Sequence, residues 1–233
     1  ASGRSSTSGE RAPSSSEQEA LGLIDEGNAL ENAGRTAEAL ARYDAAVRVA
    51  PALARAHLNR GNALLDLGNP TDALEAYAAA LAQDPAYASA HYNMGNAFWR
   101  SGRHEAALDA YRNALVHRPG FADAEVATAC VLEDLGRREE AVECYRRALA
   151  LDPSHAPVHA NLGHALRGLG RLAEATASYR RALDIDPRLG NVHRALGSSL
   201  KELGQYDAAA ACYRDALAHD PNDVEAIVSL GAA

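Results

Sequence analysis

A spacing of 34 residues runs through almost all of this 233-residue chain. Tyrosine, proline and glycine each recur six times at this interval without missing a step. The tyrosines lie at positions 43, 77, 111, 145, 179 and 213, the prolines at 51, 85, 119, 153, 187 and 221, and the glycines at 34, 68, 102, 136, 170 and 204. A fixed period of about 20–50 residues indicates a repeat array, because one unit cannot bury its apolar face alone and must stack on its neighbours. The period therefore predicts a stack of similar units.

The composition indicates which secondary structure these units contain. Alanine, the strongest helix former, accounts for 53 residues, whereas aromatic residues make up only 5% of the chain. The strands of a sandwich or barrel favour β-branched and aromatic side chains. An all-β fold is therefore excluded, a doubly wound sheet is disfavoured, and an all-α fold is predicted.

Charge, hydropathy and cysteine content narrow the function classes. The net charge of −8 argues against a general nucleic-acid binder, which needs a basic surface. No stretch approaches the roughly 18 consecutive apolar residues of a membrane span. The three cysteines, Cys130, Cys144 and Cys212, are too few for a disulfide framework and have no metal-ligand spacing. We therefore expect a cytoplasmic protein with reduced thiols that binds neither nucleic acid nor membrane.

The segment 88–121 displays the repeated pattern most clearly. It reads Ala-Ser-Ala-His-Tyr-Asn-Met-Gly-Asn-Ala-Phe-Trp, followed by Gly102, Tyr111 and Pro119. This pattern resembles the tetratricopeptide repeat, which has the same 34-residue period. The resemblance implies an all-α solenoid, a right-handed superhelix of antiparallel helix pairs whose first helices line a concave groove. The repeats are framed as 20–53, 54–87, 88–121, 122–155, 156–189 and 190–223, with a partial seventh at 224–233.

Within each repeat, counted from its first residue as position 1, the recurring residues have predictable roles. Helix A, the first helix, carries a small residue at position 8, and helix B carries alanine at position 20, so the two helices can approach closely. The glycine at position 15 ends helix A in a left-handed conformation. The tyrosine at position 24 is expected to fill the space against the next helix A. The proline at position 32 cannot continue helix B and ends it.

The two ends of the chain depart from this pattern. Residues 1–19 begin with a serine-rich stretch without apolar periodicity, which predicts a disordered linker. The segment 224–233 is apolar on most sides, whereas the terminal helix of a repeat array needs a polar outer face. We therefore expect the chain to be part of a longer protein, and we expect possible self-association through Ile227 and Leu230.

The sequence contains no arrangement typical of a catalytic centre. It has no nucleophile–base pattern and no glycine-rich phosphate loop, so we predict no enzymatic activity in this chain and no cofactor. His155 and His159 have the i, i+4 spacing of a zinc pair, but Pro157 lies between them and marks a helix start, so no metal site is predicted. Four histidines occupy position 4 of their repeats and are expected to be half-buried packing residues; they are His57, His91, His159 and His193.

The family resemblance implies which side chains face the groove, namely those at positions 2, 5, 6, 9, 12 and 13 of helix A. The residues predicted to bind a peptide are Asn28, Leu58, Asn59, Asn62, Tyr92, Asn93, Asn96, Trp99, Arg100, Asn161, His164, Arg167 and Arg194. A carboxamide both donates and accepts, so the asparagines can bond a peptide main chain of any sequence. Tyrosine, tryptophan and arginine dominate binding hot spots. Tyr92, Trp99 and Arg100 are therefore the expected anchors.

The leading hypothesis is a protein-interaction module that holds an extended peptide in its groove. The two-carboxylate clamp of chaperone-binding relatives is not matched, because Ile24, Ser89 and Asn93 stand where basic residues are needed. Two alternatives remain. The asparagines resemble those of O-linked N-acetylglucosamine transferase arrays and of bacterial arrays attached to enzymes, which implies a substrate-recognition arm of a larger enzyme such as a glycosyltransferase. The chain could also be a scaffold that assembles end to end.

Overall fold

The computed structural model describes residues 13–231, and nothing in this part of the chain is a strand. The chain divides into two compact units, the first up to Gly102 and the second from Arg103 onward. The first unit contains α1 (Ser15–Asn32), α2 (Thr36–Val49), α3 (Ala54–Asp66), α4 (Pro70–Gln83) and α5 (Ala88–Arg100). The second contains α6 (His104–His117), α7 (Ala122–Asp134), α8 (Arg138–Leu151), α9 (Ala156–Gly168), α10 (Leu172–Ile185), α11 (Gly190–Glu202), α12 (Tyr206–His219) and α13 (Val224–Gly231).

The helices form the hairpin pairs that the period predicts, which confirms the all-α repeat fold. In the first unit α1 packs on α2 and α3 packs on α4, and α2 and α4 each also contact the helix that follows. In the second unit α7 packs on α8, α9 on α10 and α11 on α12. From the second repeat onward, every helix A begins at the first residue of its 34-residue frame.

The glycine at position 15 ends each complete helix A as expected. All six of these glycines have positive φ, from 71° to 82°, a region that is open to glycine and strains other residues. After Gly34, for example, the Arg35 N–H donates to the Leu30 carbonyl at 2.9 Å, which satisfies a carbonyl at the end of α1. The turn therefore reverses the chain within three residues and sets the hairpin.

The tyrosine at position 24 packs on helix A of its own repeat, and it also shares a core cluster with the next helix A, as expected; Tyr77 lies in one cluster with Ala90 and Ala97 of α5. A Cβ built on the position-8 glycine would lie 2.4–2.8 Å from the tyrosine ring of the same repeat, at Gly27, Gly61, Gly163 and Gly197. The six tyrosines are 0–1% exposed. The glycine therefore leaves the volume that the ring occupies, and the ring joins helix A to helix B.

The first helix begins earlier than the boundary of the predicted linker at residue 19. It begins at Ser15, because Ser14 and Glu17 form a capping box in which each side chain bonds the other residue's backbone N–H. Ala20 and Ile24 then anchor α1 in the core. The predicted disorder is thus replaced by helix from Ser15 onward, while residues 1–12 lie outside the described part of the chain.

The position-4 histidines are half-buried as expected, and they also fasten the turns between repeats. Each Nε2–H donates to the carbonyl of the proline six residues earlier, at 2.8–3.0 Å; the pairs are His57–Pro51, His91–Pro85, His159–Pro153 and His193–Pro187. Repeat four has Glu125 at this position instead, where its buried carboxylate accepts two bonds from Arg147 at 2.8 and 2.9 Å. His159 is therefore hydrogen-bonded to the turn before its helix, and His155 is the N-cap residue of α9.

No helix in the described range 13–231 is both long enough and apolar enough to cross a membrane.

The packing of tyrosine on glycine makes a testable prediction at Gly163. In Gly163→Ala the new Cβ would lie 2.5 Å from Tyr179 Cε1. We expect a net destabilisation of about 1–2 kcal/mol, because overpacking exceeds the gain of about 1 kcal/mol in helix propensity. Gly22→Ala is the matched control, since its Cβ meets nothing within 4 Å, and it should stabilise by up to about 1 kcal/mol. Urea unfolding followed by circular dichroism measures both, and equal stabilisation by the two variants would contradict the packing argument.

Candidate functional site

The first unit contains an open groove of about 480 Å³, which is lined mainly by helix A side chains from three consecutive repeats. Its lining consists of Glu31 from α1, then Asn62, Leu65 and Asp66 from α3, Tyr77 from α4, and Asn93, Asn96, Trp99 and Arg100 from α5. All but Tyr77 occupy positions 6, 9, 12 or 13 of a helix A. These positions share a face because helix neighbours recur every three to four residues. The volume falls within the range of about 300–1,000 Å³ that ligand sites occupy.

A hydrogen-bonded triad forms one wall of this groove. The Asn62 Oδ1 accepts from the Tyr77 hydroxyl at 3.0 Å and from Asn93 Nδ2 at 2.8 Å. Tyr77 is fully buried, and this burial raises the pKa of its hydroxyl, which therefore remains a donor. The oxygen of Asn62 is thus used by the protein, whereas its Nδ2 and the Asn93 Oδ1 have no hydrogen bond within the described range 13–231.

A second triad of the same design lies one repeat earlier. Asn28 Oδ1 accepts from the Tyr43 hydroxyl at 2.9 Å and from Asn59 Nδ2 at 3.4 Å. Neither Asn28 nor Asn59 belongs to the lining of the groove among the described residues. The asparagine series therefore begins as a connection between consecutive repeats, and only the triad around Asn62 also borders the groove.

Trp99 and Arg100 form the far side of the groove at the end of α5. Trp99 is half-buried, so part of its surface remains open. The Arg100 Nη1 donates to the Leu65 carbonyl at 3.1 Å and lies 3.8 Å from Asp66 Oδ1. The guanidinium is favourably placed at the carboxyl end of α3, where the last carbonyls carry partial negative charge.

Glu31 is the least compensated charge of the groove. Its Oε1 is buried and has no hydrogen-bond partner among the described residues. Burial, and the negative charge of Asp66, raise the pKa of the Glu31 carboxyl, while the neighbouring Tyr43 hydroxyl opposes this shift. A hydrogen-bond donor or a cation placed beside this carboxyl stabilises its charged form, which burial disfavours.

Two residues predicted to bind a ligand lie elsewhere. Leu58 packs in the hydrophobic core with Leu64 and Tyr77, and it is not among the described residues that line the groove. Tyr92 is half-buried and is not among the described residues that line this groove, so its pairing with Trp99 as an anchor stays a prediction.

The predicted residues of the second unit are largely engaged by their neighbours. Arg167 donates to Glu202 Oε1 through Nε at 3.1 Å and Nη2 at 2.7 Å, and the two residues line an open groove of about 390 Å³ with His164 and Gly168. Arg194 pairs with Asp223 and Glu225. The positive charges of Arg167 and Arg194 are therefore paired with carboxylates that sequence spacing did not reveal.

The residue at position 9 is hydrogen-bonded to the tyrosine hydroxyl even in repeat five, where this residue is histidine instead of asparagine. The Tyr179 hydroxyl and the His164 Nδ1 are hydrogen-bonded at 3.0 Å. Burial, with the positive charges of Arg167 and Arg194, lowers the pKa of His164, and burial raises the pKa of Tyr179 to about 12. Asn161 is half-buried on the same helix.

Repeat four departs from this arrangement. Position 8 is Ala129 there, and the Tyr145 hydroxyl donates to Glu133 at position 12, at 2.6 Å. Cys144, on the same helix as Tyr145, is buried, which raises the pKa of its thiol to about 11. No group of three or more His, Cys, Asp or Glu side chains in the range 13–231 could hold a metal ion.

The predicted binding residues did not include four that line the groove of the first unit, namely Glu31, Leu65, Asp66 and Tyr77. For Tyr77 the available signal was the constant 15-residue separation between position 9 and the tyrosine, which places the hydroxyl beside the groove. The other three stand at positions 12 and 13, which the family resemblance assigns to the groove, but their residue types did not indicate a binding role.

Known structures share this fold. The pilF protein of Pseudomonas aeruginosa has a TM-score of 0.81 at 18% identity, over 94% of this chain and 100% of its own. PilW, described as a type IV pilus biogenesis factor, has a TM-score of 0.78 at 20% identity, over 91% and 99%. YrrB, described as a TPR protein with an unusual peptide-binding site, has a TM-score of 0.71 at 22% identity, over 80% and 96%. These likenesses concern the fold alone, and comparison with curated protein sequences found no relative.

Family models agree with the period and with the helix pairs. Models described as tetratricopeptide repeat match residues 24–88, 58–124, 126–189 and 190–223. The matched segments together span nearly all of the helices. The chain therefore belongs to the tetratricopeptide repeat family.

Proposed function

We propose that the groove of the first unit binds an extended peptide segment of a partner protein. The observation that carries the proposal is the triad in which Tyr77 and Asn93 fix the Asn62 carboxamide through its oxygen and leave its Nδ2 donor available. A side chain held by two hydrogen bonds loses little further freedom when a ligand binds, so its remaining groups act as a preorganised binding element.

The groups that remain suit a peptide main chain. Asn62 Nδ2 supplies a donor for a carbonyl and Asn93 Oδ1 supplies an acceptor for an N–H, so one peptide unit can be recognised without any demand on its side chain. Trp99 and Leu65 supply apolar surface, and Arg100 supplies a charged edge. The likeness to YrrB, a protein of the same fold that is described as having a peptide-binding site, supports this proposal.

The first prediction concerns Trp99. Peptides are selected on the full chain from a phage-displayed library of random sequences, and the affinity of a selected peptide is measured by calorimetry. Trp99→Ala should weaken binding about thirtyfold, or about 2 kcal/mol, because tryptophan at the centre of a site commonly contributes this much. Tyr206→Ala is the control, since Tyr206 is an exposed aromatic side chain on α12 outside the groove. Unchanged affinity in Trp99→Ala with intact helicity would refute the proposal.

The second prediction separates the structural role of the asparagines from binding. Asn28 and Asn62 each accept a hydrogen bond from a buried tyrosine, so Asn28→Ala and Asn62→Ala should both lower the free energy of unfolding by about 1–3 kcal/mol. Only Asn62 lines the groove, so only Asn62→Ala should weaken binding of the selected peptide. Equal losses of affinity in both variants would show that the effect arises from stability instead.

We also propose that the chain self-associates through the apolar face of α13. Val224, Ile227 and Val228 are 70%, 50% and 66% exposed, whereas Leu230 is half-buried. A second copy can present the same apolar face, so the contact can be self-complementary.

Sedimentation equilibrium tests this self-association. The weight-average mass of the unmodified chain should rise with concentration, and Ile227→Lys should keep it at the monomer value because a charge cannot be buried in the apolar contact. Val116→Lys is the matched control, since Val116 is 67% exposed on α6. A mass that does not change with concentration would disprove the contact.

A further inference from the structure

We propose that the groove of the first unit selects peptides that carry a basic side chain, which inserts between Glu31 and Asp66 and packs its aliphatic stem on Trp99. This inference rests on the peptide-binding function proposed above and adds the chemical class of the ligand. The inference concerns a side chain of the ligand, whereas Asn62 and Asn93 are proposed to bind its main chain.

The first argument is the state of the Glu31 carboxylate. One of its oxygens is buried without a hydrogen-bond donor among the described residues, although the residue lines an open groove. A buried carboxylate oxygen without a donor costs free energy, which a ligand that brings a donor recovers on binding. Glu133 at the same position of repeat four differs, because its Oε2 accepts the Tyr145 hydroxyl at 2.6 Å.

The second argument is the balance of charge around the groove. Its lining contains two carboxylates, Glu31 and Asp66, and among the described lining residues Arg100 is the one cation. Arg100 does not neutralise both, since its Nη1 is hydrogen-bonded to the Leu65 carbonyl and lies 3.8 Å from the Asp66 carboxylate. This pair is more than half exposed, so its attraction is weak. The lining therefore keeps a net negative charge that an added cation compensates.

The third argument is the surface between these charges. Leu65 and Trp99 occupy position 12 of consecutive repeats, the same position as Glu31, so the three side chains lie in a row along the groove. Lysine and arginine cover apolar surface with their methylene stems while their charged ends stay polar, and an indole attracts a cation at its face. The Glu31 carboxylate therefore complements the charged end of a basic side chain, and Leu65 and Trp99 complement its aliphatic stem. An acidic ligand side chain would meet Glu31 and Asp66 and be repelled.

The test begins with peptide selection from the phage-displayed random library on three full-length proteins: the unmodified chain, Glu31→Gln and Glu133→Gln. Glutamine keeps the size of glutamate, so the fold should persist, which circular dichroism checks. We expect lysine or arginine to be enriched at one peptide position on the unmodified chain and on Glu133→Gln, and this enrichment to vanish on Glu31→Gln.

A double-mutant cycle then assigns the contact. A selected peptide and its analogue with norleucine in place of the basic residue are titrated against the unmodified chain and Glu31→Gln, with the fluorescence of Trp99, the single tryptophan of the chain, as the signal. The basic peptide should bind Glu31→Gln about fivefold more weakly than the unmodified chain. The norleucine peptide should bind both proteins equally, because it cannot interact with the charge that the variant removes.

The outcomes separate the two proposals. Peptides selected without basic enrichment, or an enrichment that Glu31→Gln retains, would overturn the preference for a basic side chain and leave the peptide groove intact. A norleucine peptide that loses as much affinity as the basic peptide would likewise overturn it. If the unmodified chain selects no peptide and none changes the fluorescence of Trp99, the groove itself is refuted and this inference with it.

Discussion

The packing of one tyrosine ring on one glycine is the contact on which the rest of the structure depends, and it recurs in most of the repeats. The ring occupies the volume that a Cβ at position 8 would take, and it is almost fully buried. Because the apolar residues around it are mostly alanines, the ring is the largest side chain in the core of each hairpin. The separation between helix A and helix B is set by this contact, and stacking of the hairpins follows from it.

The same tyrosine also organises the surface. A fully buried phenol still needs a partner for its hydroxyl, and the residue that follows the glycine on helix A, at position 9, commonly provides it. When position 9 is asparagine, as at Asn62, its oxygen accepts a second bond from the next repeat, from Asn93. The side chains that form this polar wall of the groove therefore also hold consecutive repeats together.

Position 12 behaves differently, because its residue varies from repeat to repeat. The contact between tyrosine and glycine places no requirement on the residue there, so its character changes along the array from Glu31 through Leu65 and Trp99 to Arg167. Constant positions build the hairpins and variable positions face the open side. In the function proposed above, the binding preference rests on a few side chains, while the scaffold that presents them stays the same from one repeat to the next.

The repeat, the hairpins and their turns could be predicted from the sequence, because a 34-residue period repeats the same local requirements at each step. The face of helix A that lines a groove was implied by the family resemblance. Asn62, Asn93, Asn96, Trp99 and Arg100, all predicted from the sequence, line the groove of the first unit. Contacts between repeats could not be predicted in this way, since they join residues about 31–35 positions apart whose partners the period does not specify.

Which candidate side chains remain available to a ligand depends on the tertiary structure. It buried Leu58 in the core, paired Arg167 with Glu202, and left Glu31 with an oxygen that lacks a donor among the described residues. Periodicity fixes the direction of a side chain from its helix, whereas exposure, charge compensation and hydrogen bonding depend on what the neighbouring repeat places opposite it.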